Sequence, residues 1–181
     1  MRIMSACGLK ILAVSVLTVI FAGRVHAQPE SLGATFSFSG ISVCYEHEVN
    51  DDTFLDFAVK ADTGEMYLSR ERFPGISASF TWNMILKTWD SGNGEKIDLT
   101  AGTGMAFGWS KDFMKDRGFN LGLKGRVGAR FRFTRNIGIS VCVAPVLGMH
   151  MTLLKDSIRM EYYRYGLLNA IMPEIGIRYM F

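Results

Sequence analysis

The sequence predicts an all-β fold, an eight-stranded antiparallel transmembrane β-barrel, and three observations lead to it. A signal for export precedes the mature chain, several long segments alternate between apolar and polar residues, and the last of these segments ends on an aromatic residue. Alternation with a period of two places the two sets of side chains on opposite faces of a strand. No mature segment has the roughly 18 or more consecutive apolar residues of a membrane-spanning helix, so any crossing would use strands.

Residues 1–27 have the three-part layout of a secretory signal peptide. A basic start is followed by an apolar run from Ile11 to Phe21, and Val25-His26-Ala27 places small residues before an expected cleavage site at Gln28. The apolar run is shorter than the about 20 residues of a membrane-spanning helix. We therefore expect residues 1–27 to be removed after Sec-dependent export and residues 28–181 to form the barrel.

Removal of the signal peptide changes the charge of the chain. The full sequence has 20 basic and 17 acidic residues, and the signal contributes three basic residues and no acid, so the mature chain has 20 − 3 = 17 basic residues against 17 acidic ones. Proteins that bind nucleic acid show a basic patch or stripe, which a neutral balance does not suggest. We expect no nucleic-acid partner and a monomer surrounded by outer-membrane lipid.

The clearest alternation runs from Phe119 to Phe133. The odd positions are apolar or small, and the even positions include four cations: Lys124, Arg126, Arg130 and Arg132. In a membrane barrel the apolar face contacts lipid and the polar face lines the lumen. Segments 76–86, 97–109 and 137–149 alternate in the same way. Their small polar-face residues suit an eight-stranded lumen, which side chains fill.

Turn chemistry and topology set the number of strands. Outer-membrane barrels of bacterial type have an even number of strands, short periplasmic turns and longer outer loops. The turns Asn50-Asp51-Asp52 and Thr134-Arg135-Asn136 have residues typical of turns and are placed on the inner side. The expected strands are 31–38, 41–49, 53–61, 75–88, 96–109, 118–134, 137–151 and 171–181.

The eighth strand has two candidates. Stretch 31–38 supplies the outward strand that an even count requires, with a change of phase at Gly40 where a tight outer turn or a bulge fits. The alternative makes 158–167 a strand of its own, which would place a short loop outside and a long loop inside. We adopt 31–38.

The C-terminal segment gives an independent indication of the fold. Ile175, Ile177, Tyr179 and Phe181 alternate with more polar residues, and the chain ends on Phe181. This pattern resembles the terminal strand of outer-membrane barrels, which the barrel assembly machinery reads. We expect these four residues to act as an assembly signal.

Three segments resemble the small porin-like outer membrane protein β-barrel domain family. They are residues 40–57, in which one strand runs through an Asn/Asp turn into the next, residues 118–128, and the closing residues 176–181. The resemblance implies an outer-membrane location and an eight-stranded barrel, and it supplies no shared catalytic residues. The chain differs from the family in its very short first strand and first loop.

Ten charged side chains are expected to share the lumen: Lys124, Arg126, Arg130, Arg132, Arg178, Glu46, Glu48, Asp56, Asp98 and Glu174. Buried charges are tolerated when they are paired and hydrogen-bonded. The first interpretation is therefore a salt-bridge network that fills and stiffens the barrel. A narrow conducting path or gate and an anion-binding pocket are the alternatives.

Cys44 and Cys142 are expected to remain free thiols. Both fall on the lumenal face, on the second and seventh strands, which are three strands apart around the wall. At about 4.8 Å per strand, their Cα atoms exceed the roughly 7 Å limit for a disulfide. His47 and His150 are the only mature histidines, and no close pair such as C-x-x-C occurs, so neither a metal site nor a cofactor is expected.

Aromatic residues are expected at both membrane interfaces. Those assigned to the outer rim are Trp109, Tyr162, Tyr163 and Tyr165, and those assigned to the inner rim are Tyr45, Phe131, Phe133, Tyr179 and Phe181.

The function expected from the sequence is a non-enzymatic outer-membrane barrel with a structural or surface-interaction role and a side-chain-filled lumen. A small porin or channel is one alternative. A barrel-embedded lipid hydrolase is another, with His150 and Ser157 as a conceivable pair, but it lacks a third member to orient the base. The sequence therefore predicts no catalytic residues.

Overall fold

The computed structural model of the chain describes residues 30–63, 74–90, 94–112, 116–134, 136–153 and 157–181. The expected signal peptide lies outside the described residues. The strands are β1 Glu30–Ser37, β2 Gly40–Asn50, β3 Thr53–Asp62, β4 Gly75–Asp90, β5 Lys96–Lys111, β6 Arg117–Arg132, β7 Ile137–Val143, β8 Val146–Leu153, β9 Ile158–Tyr162 and β10 Glu174–Met180, and the helix α1 is Arg164–Leu168.

The sheet closes on itself as an antiparallel barrel. β1 pairs with β2 on one side and with β10 on the other, and β5 pairs with β6. β7 and β8 both pair with β6 in one continuous register, so together they form a single strand of the wall. The wall therefore has eight strands, and the predicted eight-stranded antiparallel barrel is confirmed.

Most of the expected strands match the structure, including the first one. Residues 31–38 correspond to β1, and the change of phase at Gly40 marks a tight turn into β2. The expected strand 137–151 is divided at Ala144-Pro145, because proline has no N–H to donate to the ladder. Residues 158–162 form β9, which pairs with β8 only and extends the hairpin without becoming a ninth strand of the wall.

The expected last strand, 171–181, begins later than predicted. β10 starts at Glu174, after Pro173, and the preceding segment contains the helix α1 where the sequence suggested a loop. No helix in the described part of the chain is long and apolar enough to span a membrane.

The strand register fixes the tilt of the strands. Paired residues can be followed once around the wall from Trp109 on β5, and the circuit returns to β5 at Leu99, a shift of 109 − 99 = 10 residues. Eight strands about 4.8 Å apart, with a rise of about 3.3 Å per residue, then require a tilt of about 40° from the barrel axis. Each residue advances about 2.5 Å along that axis.

The distribution of side chains is the reverse of that in a soluble protein. Leu123 and Leu147 on the outer surface are 62% and 63% exposed, whereas Asp98 and Asn83 inside the barrel are 0% exposed. A soluble fold buries its large apolar side chains and leaves its charges in water. The alternation of apolar outward and polar inward residues is that of a transmembrane barrel.

Candidate functional site: the charged lumen

The ten charged residues expected in the lumen occupy inward-facing positions on the wall. Every one of them is buried, lines an internal cavity, or does both. They reach the same space because strands from different parts of the chain face one another across a narrow barrel. β2 and β3 supply Glu46 and Asp56, and β6 and β10 supply Arg126 and Arg178 from the other side.

Four of these residues form the centre of a buried network. Asp56 Oδ2 accepts hydrogen bonds from Arg126 at 2.6 Å and from Arg178 at 3.2 Å. Glu46 Oε1 contacts Arg178 and lies 3.8 Å from Arg126. Two carboxylates and two guanidinium groups therefore neutralise one another inside the barrel, as buried charges require.

The network continues toward the inner end through Arg130. Its guanidinium group lies 3.4 Å from Glu46 Oε2 and 3.5 Å from Asp98 Oδ2. Asp98 also pairs with Arg132 at 2.8 Å. We call Glu46, Asp56, Asp98, Arg126, Arg130 and Arg178 the ion-pair belt.

An aromatic ring packs against one of the arginines of the belt. Phe54 is 0% exposed inside the lumen, and the Arg130 guanidinium carbon lies 4.1 Å from its ring centroid. A cation over an aromatic face is stabilised by the ring quadrupole. Phe54 was not among the residues expected in the lumen, although it has the same even parity as Asp56.

A second charged group lies in the outer half of the lumen. Lys60 Nζ donates to Ser39 Oγ at 2.5 Å and lies 3.7 Å from Glu174 and 3.8 Å from Asp62. Lys124 Nζ donates to Ser79 Oγ at 2.9 Å. Lys124 and Glu174 were predicted in the lumen from the sequence, whereas Lys60 and Asp62 were not. Both residues have even numbers on β3, as Asp56 does, and this alternation would have predicted that they face the lumen.

Two internal cavities lie on either side of the belt. The outer one has a volume of about 60 Å³ and the inner one about 20 Å³. Asp56 and Arg126 line the outer cavity, Glu46 and Arg130 line the inner one, and Arg178 lines both. A volume of 60 Å³ accommodates on the order of four water molecules. In this conformation the lumen is filled by side chains and is divided by the belt.

The outer mouth of the lumen is covered by α1. The buried carboxylate of Asp112 accepts hydrogen bonds from the backbone N–H groups of Arg164 at 3.0 Å and Tyr165 at 2.9 Å. A side chain at Gly166 would lie 2.2 Å from the Val146 carbonyl oxygen, so only glycine allows this close approach to β8. At the other end of α1, Asn169 accepts a hydrogen bond from Ser39 at 3.3 Å.

The residues considered for a hydrolase are not arranged for catalysis in this conformation. His150 is buried, and its Nδ1 and Nε2 atoms lie 2.5 Å from the Asn120 side-chain oxygen and 3.0 Å from the Asp116 carbonyl oxygen. Both ring nitrogens are therefore engaged, whereas a general base needs one directed at its nucleophile. Ser157 is exposed.

The two cysteines agree with their prediction as free thiols. Cys44 on β2 and Cys142 on β7 are buried and unbridged, and β1 and β10 lie between their strands. Within the described ranges of the chain, no three His, Cys, Asp or Glu side chains are grouped as metal ligands.

Two pairs of stacked aromatic rings lie on the outward-facing surface of the barrel, near its inner end. The ring centroids of Phe131 and Phe133 are 6.5 Å apart, as are those of Tyr179 and Phe181. Ile175, Ile177, Tyr179 and Phe181, the expected assembly signal, are each more than half exposed on this outer surface. Their role in assembly stays a prediction.

The outer-rim aromatic residues divide into two groups. Trp109 and Tyr162 are exposed on the outer surface, at 43% and 80%. Tyr163 and Tyr165 line a small pocket at the outer mouth together with Asp62. The sequence placed all four at the rim, and the turn into α1 directs the last two over the lumen.

A closed barrel with an apolar outer surface and an ion-paired interior defines the class, a small transmembrane β-barrel. No model of a known family matches the sequence, and no curated protein matches it significantly. Among solved structures, the N-terminal β-barrel domain of Pseudomonas aeruginosa OprF is similar, with 14% identity and a TM-score of 0.48 over 84% of this chain and 96% of that one. Neisserial surface protein A is 13% identical with a TM-score of 0.41, and Ail, the attachment invasion locus protein of Yersinia pestis, is 13% identical with a TM-score of 0.35, each over 84% of this chain and 94% of the other.

Proposed function

We propose that the chain is an outer-membrane protein of a Gram-negative cell, with its apolar surface in lipid and its lumen filled. Its role is structural or one of surface interaction, without enzymatic activity. It acts as a monomer, and the barrel assembly machinery recognises its last strand, which ends on Phe181. Outer-membrane lipid is its immediate partner, and it has no cofactor and no nucleic-acid partner.

The observation that carries this proposal is the inverted distribution of side chains. Leu32, Val43, Val59 and Leu123 expose apolar surface around the wall, while the belt is enclosed. Contiguous apolar patches of this extent are rare on soluble monomers. Hydrocarbon is the solvent in which this outer surface is stable.

Fractionation and gel mobility test the membrane part of the proposal. A closed barrel resists mild detergent, so the unheated protein from the outer-membrane fraction is expected to migrate faster than the boiled protein. A protein recovered from the soluble periplasm, with the same mobility before and after heating, would exclude it.

The filled lumen favours a barrel that does not conduct, against the small porin considered from the sequence. The belt and α1 close the lumen at two levels, so the purified wild-type protein is expected to give no stable channel events in a planar bilayer. The matched control is the double variant Arg178→Ala, Asp112→Ala, which removes one group from each closure and is expected to conduct. Stable channels from the wild-type protein would favour the porin.

Enzymatic activity is tested separately on lipopolysaccharide. The refolded protein is expected to release no fatty acid from it, because both ring nitrogens of His150 are engaged. Release that is lost in His150→Ala would replace the proposal with the hydrolase.

A further inference from the structure

We propose that the outer cavity holds a monovalent anion of the size of chloride beside the ammonium group of Lys124. This site goes beyond the proposed function, because it lies in the lumen and needs no partner at the cell surface. It follows from a lumenal cation without a carboxylate partner, from the space beside that cation and from the net charge of the cavity lining.

Lys124 differs from the other cations of the outer cavity in having no carboxylate partner. Arg126 and Arg178 belong to the ion-pair belt, and Lys60 lies 3.7 Å from Glu174. Over the described part of the chain, no carboxylate lies at ion-pair distance from Lys124 Nζ, whose described hydrogen bond goes to a neutral serine hydroxyl. A charge enclosed without a counter-charge is unfavourable, so this position favours an anion.

The neighbouring positions of the wall do not supply the missing carboxylate. The Cα partners of Lys124 are Gly104 on β5 and Val146 on β8, and Gly122 precedes it on the same face of β6. Arg126 follows it on that face, about 7 Å along the strand, and adds a second cation. Lys124 therefore lies among small or apolar residues and beside a like charge.

The same small residues leave space beside the ammonium group. The outer cavity has a volume of about 60 Å³, and its lining includes Lys124 together with Ala106, Gly122, Ala144 and Val146. A chloride ion is only slightly larger than a water molecule, so it fits this cavity with part of its hydration shell. Large organic anions do not fit.

The lining of the outer cavity carries one more positive charge than negative charges. Its cations are Lys60, Lys124, Arg126 and Arg178, and its carboxylates are Asp56, Asp62 and Glu174, which gives a net charge of 4 − 3 = 1. Asp56 is held by two guanidinium groups of the belt, and the other two carboxylates lie beside Lys60. One monovalent anion at Lys124 balances the excess, whereas a multivalent anion would reverse it.

The surroundings of Lys124 strengthen its attraction for an anion. Ser79 Oγ accepts the hydrogen bond from Lys124 Nζ at 2.9 Å and keeps its own O–H for donation to a bound ion. Lys124 lies near the middle of β6, deep in the lumen, where opposite charges attract one another more strongly than in water.

The test measures the free energy of unfolding of the refolded barrel in lipid vesicles, by urea titration at two chloride concentrations. Gluconate, which is too large for the cavity, replaces chloride so that the ionic strength stays constant. Between about 1 mM and about 300 mM chloride, the ratio of folded to unfolded protein is expected to rise about tenfold, as for a dissociation constant of about 30 mM. In crystals soaked with bromide, an anomalous diffraction peak is expected in contact with the Lys124 ammonium group.

Two lumenal variants and one control assign the chloride effect to this site. Lys124→Met removes the charge but keeps an unbranched side chain, and the rise with chloride is expected to fall below about twofold. Val146→Asp places a carboxylate opposite Lys124 and is expected to abolish the rise in the same way, because the carboxylate replaces the anion. Lys87→Met is the matched control: Lys87 is exposed near the inner end of β4, over the Trp89 ring, and this variant should keep the rise of about tenfold.

An equal chloride effect in the wild type and in Lys124→Met would overturn the proposal, as would a wild type that does not respond to chloride. A bromide peak that persists in Lys124→Met would also overturn it, since the ion would then not depend on this ammonium group. If Lys124→Met does not fold, Val146→Asp makes the same test with the lysine in place. Gel mobility of the same samples reports the closed barrel separately: a heat-modifiable wild type that does not respond to chloride refutes only the anion site.

Discussion

The inner and outer halves of the barrel fill the same narrow lumen in different ways. In the inner half the strand ladder is continuous around the wall, and the belt crosses the space between facing strands. In the outer half, β10 pairs with β7 only as far as Cys142, which pairs with Glu174, and the pairing of β8 with β9 begins at Met149, which pairs with Tyr162, so among the described residues no strand pairs with β8 on this side between these two points. Helix α1 packs against β8 within that interval.

This difference separates a rigid half from a locally stabilised one. Side chains of the belt are attached to strands whose backbone groups are paired on both sides, so they can be displaced only with the wall. The position of α1 depends on a few contacts, chiefly those of Asp112 and Gly166. Segments with few such contacts open at a lower free energy than the whole fold. The inner half should therefore control global stability and the outer half local opening.

Removal of one belt carboxylate is expected to have the largest effect. Glu46→Ala leaves Arg126, Arg130 and Arg178 with one carboxylate fewer in a buried site, and breaking a buried pair in this way costs about 3–5 kcal/mol. The free energy of unfolding is measured by urea titration of the refolded barrel in lipid vesicles.

The control in the outer half is Glu174→Ala. Its partner Lys60 lies 3.7 Å away and keeps Ser39 and Asp62, so no cation loses its last partner and the expected loss is smaller, about 1 kcal/mol. Equal losses for Glu46→Ala and Glu174→Ala would contradict the distinction between the two halves.

The second prediction concerns the outer surface at two depths. At about 2.5 Å per residue, Val127 lies 132 − 127 = 5 residues, or about 12 Å, from the inner end of β6, near the middle of an apolar band about 25 Å tall, and it is 52% exposed. Leu153 lies 153 − 137 = 16 residues, or about 40 Å, from the inner end of β7, which is above that band. Val127→Arg is expected to reduce the free energy of unfolding by about 2–4 kcal/mol, and Leu153→Arg by about 0–1 kcal/mol, because the cost of a cation depends on depth. The same urea titration measures both.

A loss at Leu153 as large as that at Val127 would show that the β8–β9 hairpin is immersed in hydrocarbon. Comparable small losses at both positions would instead indicate that the wall is not surrounded by lipid.

The sequence was sufficient where a strand pattern decides the structure. A period of two separates the lumenal from the outer residues without any knowledge of their partners, and this is why Arg126, Arg130 and Asp98 could be assigned to the interior. The first strand, β1, was then predicted from topology, because a barrel of this type needs an even number of strands. Which carboxylate pairs with which arginine was not predictable, since it depends on register around the whole wall.

The outer half was less predictable because it does not follow that pattern. Helix α1 has five residues, which are too few to show a helical period. Its N-cap residue, Tyr163, makes no capping hydrogen bond with its side chain, so the local sequence does not predict where a helix would begin. Its N-terminal N–H groups are satisfied by Asp112, which is about fifty positions earlier in the chain. Such a helix depends on a tertiary contact that the local sequence does not contain.

The smallest effect is expected from Asp112→Ala, which tests whether α1 is a local unit. The carboxylate accepts two backbone N–H groups at the start of α1, and loss of a capping side chain costs about 0.5–2 kcal/mol. Exchange of the amide hydrogens of residues 164–168 should accelerate by roughly tenfold, since about 1.4 kcal/mol corresponds to a factor of ten in the opening equilibrium. Exchange in β2 and β3 should stay unchanged, because the belt does not depend on α1.

Asp116→Ala in the same connection is the control, since the described contact of Asp116 uses its carbonyl oxygen, which alanine retains. If Asp112→Ala accelerates exchange throughout the barrel, then α1 is an integral part of the wall, and the two halves unfold as one.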